Sequence, residues 1–123
     1  MKKRILIVDD SETNLLLLQA ILEEEGYLVE VSSNVAKAHE RLKKKDFHLI
    51  LLDLLMPHKT GFDMLKELKE HGLWSTIPVI VVTAYADGSN RKEVADLGAE
   101  ALIEKPIDID TFMQTVQAVF DNH

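Results

Sequence analysis

Short apolar runs alternate five times with longer segments of helical period, and this alternation leaves few architectures open to the chain. The runs cover residues 4–8, 28–31, 49–52, 79–82 and 101–103, and the helical segments cover 12–25, 35–44, 62–71, 90–97 and 109–121. Near-continuous apolar character fits strands covered on both faces, which is the parallel-sheet case. Gly26, Gly72 and Gly98 each follow a helical stretch where a left-handed residue ends a helix, and Ser33 and Asp108 precede helices as N-caps. Five βα units with right-handed crossovers predict an α/β fold: an open, doubly wound, five-stranded parallel sheet, (βα)5, of strand order 2-1-3-4-5.

Ligands of such sheets bind outside the carboxyl ends of the strands, where the order reverses between the first and third. Those two strands end in Asp9, Asp10 and Asp53. Neighbouring parallel strands lie about 4.8 Å apart, so these acids converge and repel unless a positive charge, most simply a divalent cation, sits among them. Thr83 after the fourth strand and Lys105 after the fifth bring a hydroxyl and an ammonium to the same edge. Such a set handles phosphoryl groups. Any one aspartate here has an ordinary explanation as a loop or capping residue, but the joint placement of all five side chains does not.

Composition narrows the partners. The 123 residues make one domain, able to bury roughly two-thirds of the unfolded surface. Lys plus Arg number 14 against 21 Asp plus Glu, a net charge of −7 that argues against a broad nucleic-acid or acidic-lipid surface and for protein partners. With no cysteine, disulfides, thiolate metal sites and cysteine nucleophiles are excluded. The apolar stretch after Arg4 ends at Val8, too short for a signal peptide or membrane span, so a cytoplasmic protein is expected.

The ordered elements Ile-Leu-Ile-Val-Asp-Asp at 5–10, Leu-Leu-Asp-Leu-Leu-Met-Pro at 51–57, Gly61, Val-Thr-Ala at 82–84 and Lys105-Pro106 resemble a response-regulator receiver domain along the whole chain. The resemblance implies a flavodoxin-like arrangement and a switch in two-component or phosphorelay signalling. It makes Asp53 the phosphoacceptor and Mg²⁺ the cofactor, held by Asp10, Asp53 and the Leu55 carbonyl, with Asp9 reaching it through water. It pairs Lys105 with Asp53 and then with the phosphoryl group, gives the Thr83 hydroxyl a hydrogen bond to that group, and commonly has a cis bond before the residue matching Pro106. Ala84 is small enough to leave the entrance open. The implied donor is a sensor histidine kinase or a histidine phosphotransfer protein, and the implied output is contact with a downstream protein target. The expected chemistry is self-phosphorylation and slow autodephosphorylation rather than turnover as an enzyme.

Two departures stand out. Leu102 stands where most members carry an aromatic, so there is no ring to rotate, and the switch is expected to work through Thr83, Ala84, Tyr85 and a loosely held fourth helix. Leu55 and Tyr85 occupy the flanking positions where amides or acids often steer water, which predicts a long-lived phosphoryl group. On a helical wheel Asn14, Leu17, Leu18, Ile21 and Leu22 gather on one side, leaving Leu16 exposed with Leu15 on its flank as a partner-binding spot.

His39, His48, His58, His71 and His123 show no metal spacing and read as surface or loop residues. The basic run 43–45 reads as a helix end and Trp74 as a cover for the sheet edge. Because the sequence stops soon after the fifth helix, a stand-alone regulator without an output domain is expected. The alternative is a non-phosphorylated pseudo-receiver acting as a protein-binding module. An aspartate phosphohydrolase is more remote, since Leu55 replaces the acid that such enzymes place two residues after the nucleophile.

Overall fold

A computed structural model describes residues 2–54 and 60–123. It contains β1 (Arg4–Val8), α1 (Glu12–Glu24), β2 (Leu28–Ser32), α2 (Val35–Lys44), β3 (Leu49–Leu52), α3 (Gly61–Glu70), β4 (Val79–Thr83), α4 (Gly88–Asp96), β5 (Ala101–Glu104) and α5 (Ile109–Asp121). The strands form one parallel sheet in the order β2-β1-β3-β4-β5. This is the predicted architecture.

Alternation of side chains along each strand divides the core in two. Leu6, Val8, Ile50, Leu52, Val79 and Val81 meet α2, α3 and α4 through Leu42, Leu65 and Val94. Ile5, Ile7, Leu49, Leu51, Ile80 and Val82 meet α1 and α5 through Leu18, Leu22, Phe112 and Val116. Each such side chain contributes about 1.5–3 kcal/mol on burial against about 1 kcal/mol for a cap, so packing on the sheet dominates helix stability.

Local chemistry sets the ends. Ser11, Thr60, Asp87 and Asp108 cap α1, α3, α4 and α5, each accepting from a first-turn amide. The cap of α2 is Asn34, not Ser33: its extended backbone aims Oδ1 at the Lys37 amide, 2.8 Å away. Gly26 and Gly98 have φ of 92° and 100°, as a helix-ending glycine should. Gly72 does not, because α3 ends one residue earlier on His71 in extended backbone (φ −83°, ψ 129°).

The border strand β2 is tied down by charge. Glu30 faces Arg4 at 3.8 Å, Arg41 at 3.5 Å and Lys45 at 3.0 Å, the last a charge contact off the hydrogen-bonding line. Arg41 Nε also donates to the Val31 carbonyl at 2.8 Å.

The histidines are less peripheral than expected. His48 Nδ1 accepts from the Arg4 amide at 2.9 Å, His71 stacks on Trp74 with centroids 3.9 Å apart, and His39 meets the same ring edge-on at 5.5 Å. Trp74 is thus a packing centre between α2 and the end of α3. His58 lies outside the described residues.

Candidate functional site

Main-chain ladder bonds run one residue past the strands and place the site. The Asp53 amide donates to Val8 O at 2.9 Å, the Asp9 amide to Ser32 O at 3.1 Å, and the Lys105 amide to Thr83 O at 2.9 Å. These three residues are therefore located by backbone rather than by side-chain packing. Asp9, Asp10 and Asp53 each offer an oxygen within 4.8 Å of the others. Asp9 (2% exposed) and Asp53 (7%) are buried, while Asp10 is open to solvent.

Lys105 closes the cluster. Its Nζ donates to Asp9 Oδ2 at 2.9 Å and to Asp53 Oδ2 at 3.2 Å. Asp9 is held from the other side, with Oδ1 accepting from the Ser11 amide at 2.8 Å. Burial alone would lower the Lys105 pKa, but the Asp9 hydrogen bond and the charge of Asp53 outweigh it and raise it above 10.5. Three carboxylates against one ammonium leave a charge of −2, that of the anionic partner of one divalent cation. All donors are hard oxygens, the set magnesium takes. Leu55, the fourth expected ligand, lies outside the described residues.

Thr83 is fully buried at the end of β4, next to β3 through the Leu52↔Val81 register. Its Oγ1 accepts from the Tyr85 amide at 3.1 Å, which uses a lone pair and keeps the O–H proton for donation. Tyr85 O in turn accepts from Asn90 Nδ2 at 2.7 Å, and Arg91 of α4 pairs with Glu104 of β5 at 3.4 Å. Val94 is the one buried residue of α4, so that helix rests on few apolar contacts. Ala84 and Tyr85 are exposed at the rim, and Leu102 is half-buried against the α4 side of the core. The Lys105–Pro106 peptide is cis.

Gly61 has a role that the sequence leaves unassigned beyond its place in the motif. Its amide donates to Leu54 O at 2.8 Å, and a methyl group there would overlap the Asp53 carbonyl oxygen and stand 2.6 Å from Leu54 Cα. The obstacle is backbone, so relief requires moving the segment that carries Asp53. Gly61→Ala is expected to cost about 1–3 kcal/mol in urea unfolding, and a change within 0.5 kcal/mol would refute the close approach.

The partner-binding expectation needs one correction. Leu15 is 6% exposed and packs in the core with Leu18 and Leu22, whereas Leu16 and Leu17 are 60% and 42% exposed. The core-facing arc of α1 is centred on the 15–18–22 stripe, a fraction of a turn from the arc read off the wheel. Leu15 is therefore not available to a partner.

Three acids and a lysine thus meet at the carboxyl edge of the sheet, where the strand order reverses. Residues 5–117 match the response regulator receiver domain, and the chain belongs to that family. It is 33% identical to the polar-differentiation response regulator DivK of Brucella anthropi over 118 residues, covering 96% of each chain. It is 35% identical to response regulator RR06 of Streptococcus pneumoniae over 115 residues, covering 94% of this chain and 52% of that one. A CheY-like receiver domain protein from Methanospirillum hungatei superposes with a TM-score of 0.91 at 31% identity, covering 99% and 96%. The Vibrio cholerae chemotaxis protein CheY4 superposes with a TM-score of 0.91 at 27% identity, covering 97% and 99%. Receiver domains are the signalling switches of two-component systems, and this chain has their flavodoxin-like fold. Among the described residues no helix is long and apolar enough to cross a membrane.

Proposed function

We propose that the chain is a phospho-accepting switch in which Asp53 takes a phosphoryl group from a phosphohistidine donor in a Mg²⁺-dependent reaction. The observation that carries this reading is the convergence of Asp9, Asp10 and Asp53 within 4.8 Å under the Lys105 ammonium. An Asp53 carboxylate oxygen attacks phosphorus, the P–N bond to the donor imidazole breaks, and a mixed anhydride forms at Asp53. No general base is needed, because a carboxylate attacks through an oxygen that carries no proton to remove. Lys105 would exchange Asp53 Oδ2 for a phosphoryl oxygen, and Thr83 would donate its hydroxyl proton to another.

Asp10 and Asp53 would hold the metal directly. Asp9, whose oxygens already accept from Ser11 and Lys105, would act through water. When bound, the ion offsets charge on the acceptor and on the transferring group. Mg²⁺ at ten times its Kd is expected to stabilise the fold by about 1.4 kcal/mol, a rise of several degrees in Tm. Asp10→Asn should abolish that rise, and an unchanged response would remove Asp10 from the site.

The signal leaves through Thr83. Drawing its hydroxyl toward a phosphoryl group releases the Tyr85 amide, and Tyr85 O is tied to Asn90 in the first turn of α4. With Leu102 in place of an aromatic on β5, these hydrogen bonds between β4 and α4 would carry the coupling. On the input side, exposed Leu16 and Leu17 on α1 suit contact with a histidine kinase or phosphotransfer domain. Leu16→Glu should slow transfer from such a donor about tenfold while sparing uptake from acetyl phosphate, and equal loss from both sources would contradict a docking role.

Intact-mass analysis after treatment with acetyl phosphate and Mg²⁺ tests the whole reading. One added phosphoryl group, mapped to Asp53 and absent without the metal, is expected. No addition would leave the non-phosphorylated binding module in its place.

A further inference from the structure

The net charge of −7 is spread unevenly: five of the 14 basic residues, Lys37, Arg41, Lys43, Lys44 and Lys45, fall within positions 37–45 at α2 and its end. Arg41 and Lys45, with Arg4, already share the single carboxylate of Glu30. Lys43 and Lys44 are exposed, and neither is in an ion pair among the described residues. The helix dipole accounts for little of this, since its carboxyl end carries the equivalent of about half a negative charge. Glu40 and Asp46 fall in the same stretch, and Glu67 and Glu70 flank Lys43, so the five cations of positions 37–46 exceed the two acids there by three.

Beside that surplus lies an open cavity of about 590 Å³, floored by Leu42 and Phe47, walled by Leu73 and Trp74, and rimmed by Lys43 and Lys45. Asp46 is the sole carboxylate among its described lining residues. Leu73 is 81% exposed, more than any other large apolar side chain described. The cavity sits where the chain enters β3 and β4, at the end of the sheet opposite Asp53. An occupant there would not compete with a phosphodonor.

We propose that the end of α2 and the Leu73–Trp74 turn form a docking surface for an acidic segment of a partner protein that carries a large apolar side chain. The lysines match the acids, and the apolar floor accepts the hydrophobic side chain. A nucleic acid fits less well, because its backbone would run from this patch onto acidic surface. A purely electrostatic ligand would leave Leu73 and Trp74 unused.

Trp74 is the only tryptophan, so its emission reports occupancy directly. The probe is a synthetic peptide alternating Glu and Leu, set against one alternating Lys and Leu, a polyglutamate peptide and a single-stranded oligonucleotide. The Glu-Leu peptide is expected to shift Trp74 emission saturably and to bind more tightly than the other three. Lys43→Glu with Lys44→Glu should weaken it about tenfold, and Leu73→Ser several-fold, with acetyl phosphate labelling of Asp53 unchanged. High salt should weaken the wild-type complex likewise, a check that involves no variant. Equal binding of the Glu-Leu and Lys-Leu peptides, tighter binding of the oligonucleotide, or indifference to both the lysine changes and salt would overturn the proposal. Absence of Asp53 labelling in the wild type, with peptide binding retained, would instead count against the phospho-switch reading alone.

Discussion

Asp53→Asn is expected to take up no phosphoryl group from acetyl phosphate in magnesium buffer, and yet to melt a few degrees above the wild type in metal-free buffer. Both effects come from one charge. The amide is not a nucleophile toward phosphorus, whereas its carbonyl oxygen can still accept from Lys105, so shape and hydrogen bonding survive. What disappears is one of three carboxylates crowded within 4.8 Å of one another. Asp53 faces two like charges and one opposite charge, and removing it relieves about 1 kcal/mol of net repulsion, or about 3–4 °C in Tm for a domain of this size. Intact mass reads the first effect and thermal melting with a chelator reads the second. Labelling of the Asn variant would displace Asp53 as acceptor, and a lower Tm would show that the acids are not in conflict.

Lys105→Met should act in the opposite sense on stability and in the same sense on chemistry. Methionine matches the length of the stem but leaves buried Asp9 and Asp53 without their shared ammonium. The expected loss is about 1–3 kcal/mol at pH 7, measured by urea unfolding. Labelling should fall about 10²-fold, because a positive charge placed for the transferring group acts mainly in the transition state. Since the folded-state pKa of Lys105 is raised, its stabilisation is complete below 10.5 and is lost as pH climbs through the raised value. The deficit of the variant should therefore narrow only above about pH 10.5. Magnesium should restore stability to the variant without restoring its rate. An unchanged labelling rate would remove Lys105 from the chemistry.

Much of this was legible from residue order. The boundaries of β1, β3, α2 and α5 fall where apolar runs and capping residues predict them, and the remaining elements differ by one or two positions at their ends. What stayed hidden involves choices between equivalent neighbours or contacts across the fold. Ser33 and Asn34 can both cap, and backbone direction decides between them. The run Leu15 to Leu18 is apolar at every position, so it carries no phase information, and packing against β1 and α5 decides that Leu15 turns inward and Leu17 outward. The wheel had no means of telling them apart. Asp9 lies closer than Asp53 to the Lys105 ammonium, and Gly61 presses on the Asp53 backbone. Both facts depend on how segments distant in the chain approach one another, and no local pattern encodes that.

The arrangement around Glu30 bears on how the molecule behaves in company. A border strand offers unpaired amides and carbonyls to any passing β-segment, the usual seed of fibrous self-association. Here Arg41 occupies the Val31 carbonyl, and Arg4, Arg41 and Lys45 crowd the one carboxylate, so a second copy docking along β2 would have to break this knot and bury its charges. Glu30→Val would untie Arg4, Arg41 and Lys45 from one another but leave three positive charges along this margin, so the edge would stay guarded by charge even as its side chains loosened.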